Sequence, residues 1–156
     1  MAKKILVAID DSENAMRAVL FVADTFSADN RITLFNVVQD TAAMCEMNSP
    51  ELTPYFTSQQ SSFCLLEEKK KELVDNALQK SKTILMDAGF DEEHITIKAE
   101  LKKSGIARDI IQEARSGYNI IVMGKRGVSG IKEFLLGSVS QKVFHLAKDI
   151  SVLFVN

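Results

Sequence analysis

The hydrophobic positions of the chain follow two alternating periodicities. Short segments rich in Ile, Val, Leu and Phe predict five strands, at residues 4–9, 31–38, 94–101, 118–123 and 151–155. Between them, apolar residues recur at the 3.6-residue period of an amphipathic helix, as in Ala15, Val19, Val22 and Phe26. Strands that alternate with helices predict an α/β fold with a parallel sheet covered by helices on both faces.

The segment after the second predicted strand interrupts this pattern. Residues 39–62 contain both prolines, Pro50 and Pro54, together with many Ser and Thr and no clear period. We predict a long loop here, followed by a helix from about residue 63 to residue 88. Because loops of this length in compact domains usually have a function or are mobile, we expect this one to be a functional cover or a mobile segment.

A glycine-rich segment, residues 124–138, follows the fourth predicted strand. Gly124, Gly127 and Gly130 are spaced by three, which lets the backbone turn tightly and expose its N–H groups. Gly137 and Ser138 then open the next helix, and a helix N-terminus offers unpaired donors to an anion. Because ligands of open α/β sheets bind beyond the carboxyl ends of the strands, we predict a phosphate site here. The alternatives are a flexible surface loop and a purely capping role for Ser138.

Several common motifs of enzymes are absent from the sequence. The P-loop string G-x-x-x-x-G-K-[ST] does not occur, and the turn after the first strand reads Asp10-Asp11-Ser12 instead of G-x-G-x-x-G. Ser12, Ser129 and Ser138 lack a convincing His and Asp pairing for a hydrolase triad. No carboxylate pair or His cluster indicates a dedicated metal cage. A P-loop NTPase and an ordinary dehydrogenase are therefore excluded.

The glycine-rich segment fits a different nucleotide motif. The pattern G-x2-G-x9-G-[ST] is met by Gly124, Gly127, Gly137 and Ser138. With the segments KILVAIDDS, VMGKRG, LLGSVS and VLFV in the same order, the whole chain resembles the ATP-binding branch of the universal stress protein family. The resemblance implies one domain over residues 1–156. Its fold would be Rossmann-like, similar to the adenine nucleotide alpha hydrolases, with an open five-stranded parallel sheet in the order 3-2-1-4-5.

The resemblance also implies which residues contact the nucleotide. By this resemblance, adenine and ribose are contacted by Ala8, Asp10 and Val37. The turn beside the ribose and phosphates is formed by Met123 and Gly124. The phosphate-binding positions of the family fall on Gly127, Gly137, Ser138, Val139 and Ser140. Two alternatives stay open: Asp10 as a turn or capping carboxylate, and Lys125 and Arg126 as solvated charges instead of phosphate ligands.

The family further implies cofactors and partners. Its members often bind ATP with Mg or Mn on the phosphates, and hydrolysis is weak or absent, so ATP, ADP or AMP is the expected ligand. A homodimer through the last strand is also expected, although Asp149-Ile150-Ser151 stands where many members have Cys-Pro. Three functions remain open. They are a regulatory stress-response module that binds ATP, a slow ATPase or nucleotidyl enzyme using Asp10, and a nucleotide-free dimerising module.

Composition and charge limit the remaining classes. The 156 residues suit a single domain, and the hydrophobic fraction of 46% and charged fraction of 26% are ordinary for a globular protein. A net charge of -2 gives no basic field for nucleic acid or anionic membrane. The apolar run at residues 5–9 is too short for a secretory signal or a membrane span. We therefore expect a cytoplasmic protein in which Cys45 and Cys64 are reduced thiols.

Overall fold

The five predicted strands form a single sheet. The computed structural model describes residues 1–47, 53–126 and 136–156. All neighbouring strands are parallel, in the order β3-β2-β1-β4-β5. The strands are β1 (Lys4–Ala8), β2 (Arg31–Val38), β3 (Ile95–Leu101), β4 (Ile120–Gly124) and β5 (Ser151–Val155). The predicted fold class and strand order are confirmed.

Helices cover both faces of this sheet. The described residues form α1 (Glu13–Thr25), α2 (Ala42–Cys45), α3 (Pro54–Asp87), α4 (Ile106–Ala114) and α5 (Ser138–Leu146), with a 3-10 turn at Glu92–His94. Helices α1 and α3 share one hydrophobic core with the sheet, and α4 and α5 share a second core with its opposite face. Helix α1 begins after Ser12, whose hydroxyl accepts the Ala15 N–H at 3.1 Å and so caps the first turn.

The central strand β1 contributes to both cores. Ile5, Leu6 and Val7 are completely buried. Because side chains alternate along a strand, Ile5 and Val7 pack against α1 and α3, whereas Leu6 packs against α4 and α5. This burial on both faces explains why the strand reads as an uninterrupted apolar run.

The prediction of a loop at residues 39–62 is wrong in part. Helix α2 lies within this segment, and α3 begins at Pro54 instead of near residue 63. The hydroxyl of Thr53 accepts the Phe56 N–H at 3.2 Å, and Pro54 occupies the first helical turn, where its missing N–H costs nothing. Four of the residues that indicated a loop lie in a solvent-exposed part of the helix, where packing does not require an apolar period: Thr57, Ser58, Ser61 and Ser62.

The two halves of α3 differ in burial. The second half places one buried stripe against α1 and the sheet, formed by Val74, Leu78, Ser81 and Leu85. The same stripe continues toward the N-terminus through half-buried residues at helical spacing, namely Gln60, Cys64 and Glu67. All other residues of the interval 54–73 are exposed. The first half of α3 therefore extends beyond the core that stabilises the second half.

The expectation of two reduced thiols is also wrong, because a disulfide joins Cys45 to Cys64. The two Cα atoms are 5.9 Å apart, within the usual range for a disulfide. Their pairing depends on α3 starting at Pro54, which places Cys64 on the helix face that meets α2. A sequence separation of 19 carries no such information by itself.

Candidate functional site

A pocket of about 590 Å³ opens at the carboxyl ends of β1, β2 and β4. Strands β2 and β4 flank β1 on either side, so this is the point where the strand order reverses. Ligands of open α/β sheets bind at such a point, because the loops leaving neighbouring strands diverge there and open a crevice. The volume lies within the range of about 300–1,000 Å³ that is usual for small-molecule sites.

The structure brings most of the predicted site residues together in this pocket. Eight of them line it: Ala8, Asp10, Val37, Met123, Gly124, Ser138, Val139 and Ser140. Gly137 lies beside the pocket, where its N–H donates to the Lys125 carbonyl at 2.9 Å. Gly127 lies outside the described residues, as do Ser129 and Gly130. Arg126 also lines the pocket.

Gly124 has a structural role at the end of β4. A Cβ at this position would lie 2.7 Å from the Cβ of Asn14 and 2.8 Å from the Asn14 carbonyl carbon. Real Cβ atoms do not approach backbone this closely, so only glycine lets the first turn of α1 pack over the end of β4. The Gly124 carbonyl in turn accepts the hydroxyl of the buried Ser140 at 2.9 Å. These contacts join α1, β4 and α5 at one point.

The start of α5 points donors toward the pocket. Gly137 holds the cap position in an extended conformation, so Ser138 is the first helical residue and not the cap. No side chain among the described residues caps this turn. Since the first N–H groups of an α-helix have no intrahelical acceptor, those of Ser138 and Val139 are available to an anion.

Two carboxylates follow β1 and line the same pocket. Asp10 accepts the Ser12 N–H at 2.8 Å, which supports the interpretation of Asp10 as a turn carboxylate. Asp11 was missed as a site residue because the family motif places the acidic position on Asp10. Its Oδ1 atom is buried and has no hydrogen-bond donor among the described residues. A buried acceptor without a donor is costly, so Asp11 suits a ligand hydroxyl, an amino group or a cation.

The pocket has a second wall, part of which lies in the segment 39–62 where a functional cover or a mobile segment was expected, but its helices were not predicted. It is formed by residues after β2 and by the first half of α3: Gln39, Thr41, Cys45, Cys64, Glu67, Glu68, Lys70 and Lys71. We call α2 together with residues 54–73 the cover. The residues at the strand ends and at the start of α5, numbered 8–12, 123–124 and 138–140, are the floor. The pair Thr53-Pro54, a capping residue before a proline, is the sequence signal that would have located the helix of the cover.

Three cations line the pocket among the described residues. Lys70 and Lys71 belong to the cover, and Arg126 follows β4. None of these three forms a salt bridge with another residue of the described ranges. Lys70 and Lys71 on the cover and Arg126 beyond β4 can therefore pair with an anionic ligand. The same pocket is also lined by carboxylates, namely Asp10, Asp11, Glu67, Glu68 and Asp75.

The sequence profile of the universal stress protein family matches residues 1–156. The chain belongs to the universal stress protein family. Universal stress protein YxiE of Bacillus subtilis is 32% identical, over 94% of this chain and 95% of that protein. A universal stress protein of Mycolicibacterium smegmatis is 27% identical over 92% of this chain, and this chain spans 45% of its length. The resemblance inferred from the glycine-rich motif is therefore confirmed.

Solved structures agree with this assignment. Hypothetical protein MJ0577 superposes with a TM-score of 0.68 at 29% identity, over 99% of this chain and 96% of that one. UspA of Lactobacillus plantarum has the same TM-score at 19% identity, over 99% and 97% of the two chains. A universal stress protein in complex with cAMP gives 0.63 at 18% identity, with 99% and 97% covered. At such low identity the last two show the shared Rossmann-like fold.

Two features are absent from the described residues. No group of three or more His, Cys, Asp or Glu residues in this part of the chain is placed to hold a metal ion. None of the described helices combines the length and the apolar character that crossing a membrane requires.

Proposed function

We propose that this universal stress protein binds ATP in the pocket between floor and cover and acts as a regulatory module. The observation that carries the proposal is the convergence of eight predicted nucleotide contacts on one pocket at the strand reversal. Adenine and ribose lie against Ala8, Asp10 and Val37 in this proposal. Met123 and Gly124 face the ribose. The phosphates bind at Gly127 and at the start of α5.

The donors favour holding the phosphates over cleaving them. The N–H groups at Ser138 and Val139 are fixed by the helix, and Arg126, which follows β4, adds a charge at the same pocket. The chain has no P-loop lysine. In this proposal the site holds ATP without cleaving it, and a partner protein recognises the ATP-bound form.

The fit of a divalent cation rests on the floor carboxylates. Mg or Mn would bind mainly through the phosphates, since the described residues offer no three-residue metal cluster. Asp11, with its buried and unpartnered oxygen, is the protein group best suited to such a cation or to its bound water. The cation would neutralise phosphate charge.

A proline at the helix start tests the role of the backbone donors. In Ser138→Pro, the N–H at the first helical position is lost, yet proline is well tolerated there. Gly137 already has the extended conformation that a residue before proline requires. We expect calorimetry with Mg-ATP to show about tenfold weaker binding, as befits loss of a charge-assisted hydrogen bond.

Ser138→Ala is the matched control, because it removes the hydroxyl and keeps the N–H group. It should bind ATP more tightly than Ser138→Pro, because it keeps the backbone donor, and any loss relative to the unchanged protein measures the contribution of the hydroxyl to phosphate binding. Mass spectrometry of nucleotide released from freshly purified protein complements the titration. Absence of both co-purified nucleotide and calorimetric binding would rule the proposal out.

A slow ATPase is the second candidate, and the pair Asp10 and Asp11 in the pocket favours it. A carboxylate with a free buried oxygen can orient water. Steady ADP production that disappears in Asp10→Asn or Asp11→Asn would support this candidate. A flat time course with bound ATP intact would exclude it.

We also propose a homodimer through β5. Among the strands of the described residues, β5 pairs only with β4, so its other side offers backbone groups that no described strand pairs. Its residues from Val152 to Val155 are only half-buried, and the nearby Phe144 is 59% exposed. Light scattering should give twice the chain mass, and Phe154→Lys should shift it to the monomer.

A further inference from the structure

We propose that the Cys45–Cys64 pair is a redox latch on the nucleotide pocket. As a disulfide it holds the cover against the pocket, and on reduction the first half of α3 is released and bound nucleotide dissociates faster. The inference rests on the proposed function, because it concerns regulation of the same pocket.

The disulfide lies at the pocket and can be reached from solvent. Both cysteines line the pocket, and both are only half-buried, so a small thiol reagent can reach them. Cys45 ends α2, in the segment that leaves the carboxyl end of β2. The β2 end is fixed to the sheet, since the Val38 carbonyl accepts the Lys102 N–H at 2.7 Å. The disulfide therefore links the first half of α3 to α2, which the chain joins to the fixed end of β2 through residues 39–41.

The first half of α3 has little packing of its own against the domain. The buried stripe of this helix ends at Val74, and no residue of the interval 54–73 is fully buried. Tyr55, Leu65 and Leu66 are 75%, 67% and 68% exposed. A helix without a packed apolar face has little tertiary stabilisation, so the disulfide carries much of the attachment of this segment.

The remaining contacts of the cover are weak. The Gln60 side-chain amide donates to the Met47 carbonyl at 3.0 Å and also to the Met44 carbonyl. These hydrogen bonds are exposed, and exposed neutral hydrogen bonds contribute little because water competes for both partners. They orient the closed cover without fixing it once the covalent bond is broken.

The switching step is a thiol–disulfide exchange with a soluble dithiol. A thiolate of the dithiol attacks one sulfur of the pair, the Cys45–Cys64 bond breaks, and a mixed disulfide forms. The second thiol of the reagent then displaces the remaining protein sulfur. The protein gains two electrons and two protons as two thiols, and the reagent leaves as its own disulfide. A small-molecule disulfide reverses the reaction.

Oxidation and nucleotide binding are then linked. If the disulfide slows nucleotide loss and raises affinity by a given factor, bound nucleotide must favour the disulfide by the same factor. The closed cover keeps Lys70 and Lys71 at the pocket, together with Glu67 and Glu68, and shields the bound ligand from solvent, which is the physical source of that factor.

The test uses the full chain in buffers of oxidised or reduced dithiothreitol. The sequence has only two cysteines, so the reagent acts on no other thiol. Calorimetry and stopped-flow release of a fluorescent ATP analogue should show about tenfold weaker binding and faster release on reduction, within the usual range of coupling. The double variant Cys45→Ser with Cys64→Ser should behave like the reduced protein in both buffers.

Two further readouts do not depend on the binding assay alone. Hydrogen exchange should accelerate on reduction in peptides from residues 54–73 but not in those from residues 74–87. At a fixed dithiothreitol ratio, alkylation and mass measurement should show a larger disulfide fraction when ATP is present.

The outcomes separate the two proposals. Equal ATP affinity and equal exchange in both redox states would overturn the latch and leave ATP binding intact. Faster exchange on reduction without ATP binding in either state would contradict the proposed function, and with it the control of nucleotide release.

Discussion

The floor and the cover of the pocket are held in place by different means. Floor residues are fixed by the cores and by close backbone contacts, as in the approach of Gly124 to Asn14 and the bond from the buried Ser140. The cover has no fully buried residue in its described part, and its two parts, α2 and the first half of α3, are held together by a disulfide and the amide of Gln60. One wall of the site is therefore rigid, and the other depends on a bond that cellular chemistry can break.

This difference separates recognition from retention of a ligand. Rigid donors reduce the entropy lost on binding, which favours a floor that recognises the nucleotide. A cover of low local stability opens and closes without unfolding the domain, because segments of a protein unfold with different free energies. We expect substitutions in the two regions to affect different measurements.

The largest expected effect contrasts the two halves of α3. Leu85→Ala removes a completely buried side chain and should lower the free energy of unfolding by about 3 kcal/mol. Leu66 lies in the cover and is 68% exposed, so Leu66→Ala should change the free energy of unfolding by less than about 0.5 kcal/mol. Chemical denaturation of both variants measures the contrast, and equal losses would show that the cover is packed as firmly as the core.

The next effect is on the floor. Gly124→Ala forces a Cβ against the backbone of Asn14 and should destabilise the fold by about 2 kcal/mol, as overpacked sites do. It should also weaken ATP binding, since α1, β4 and α5 meet there. Denaturation and calorimetry on the same sample test both effects. An unchanged denaturation midpoint would mean that the floor can shift to accommodate the added Cβ, although its contacts are close.

A smaller effect is expected in the cover. Lys71→Ala should weaken ATP binding by about threefold and AMP binding less, since a partly exposed ion pair to phosphate contributes little. Lys69→Ala is the matched control, because Lys69 lies on the same helix and does not line the pocket. Both variants should unfold like the unchanged protein. If the Lys71→Ala and Lys69→Ala variants bound ATP with equal affinity, Lys71 would not contact the nucleotide.

The smallest effect concerns acid pH on the side of the sheet opposite α3. Burial alone would raise the pKa of Asp109, but hydrogen bonds from the backbone N–H groups of Lys103 and Ser104 outweigh it and lower that pKa below 3.8. A lowered native pKa stabilises the fold above the ordinary value and loses that stabilisation as pH falls through the native one.

Asp109→Asn should accordingly flatten the fall in unfolding free energy below about pH 4 without changing hydrogen exchange in the cover. Denaturation at several pH values, with exchange measured in parallel, checks this separation. A change in the exchange of residues 54–73 would show that the two faces of the sheet are coupled.

The floor was predictable from the sequence, whereas for the cover the sequence indicated only a functional or mobile segment at residues 39–62 and not its helices. Continuous apolar runs such as residues 5–9 encode buried parallel strands, and the spacing of Gly124, Gly137 and Ser138 marks the pocket edge. The cover helix touches the domain through a narrow stripe, so its exposed Ser and Thr residues resemble a loop. The disulfide and the role of Asp11 depend on distances that no local pattern encodes.

The common direction of the strands has a practical consequence for handling the protein. Every strand ends at the edge of the sheet that carries the pocket, and β5 ends one residue before Asn156, with the Val155 carbonyl accepting the Lys125 N–H at 2.7 Å. An affinity tag or fluorophore fused after Asn156 would therefore emerge at the same edge of the sheet as the ligand site. A fusion ahead of Met1 would leave from the opposite end of the sheet, where β1 begins, and is the appropriate choice for labelled or immobilised protein.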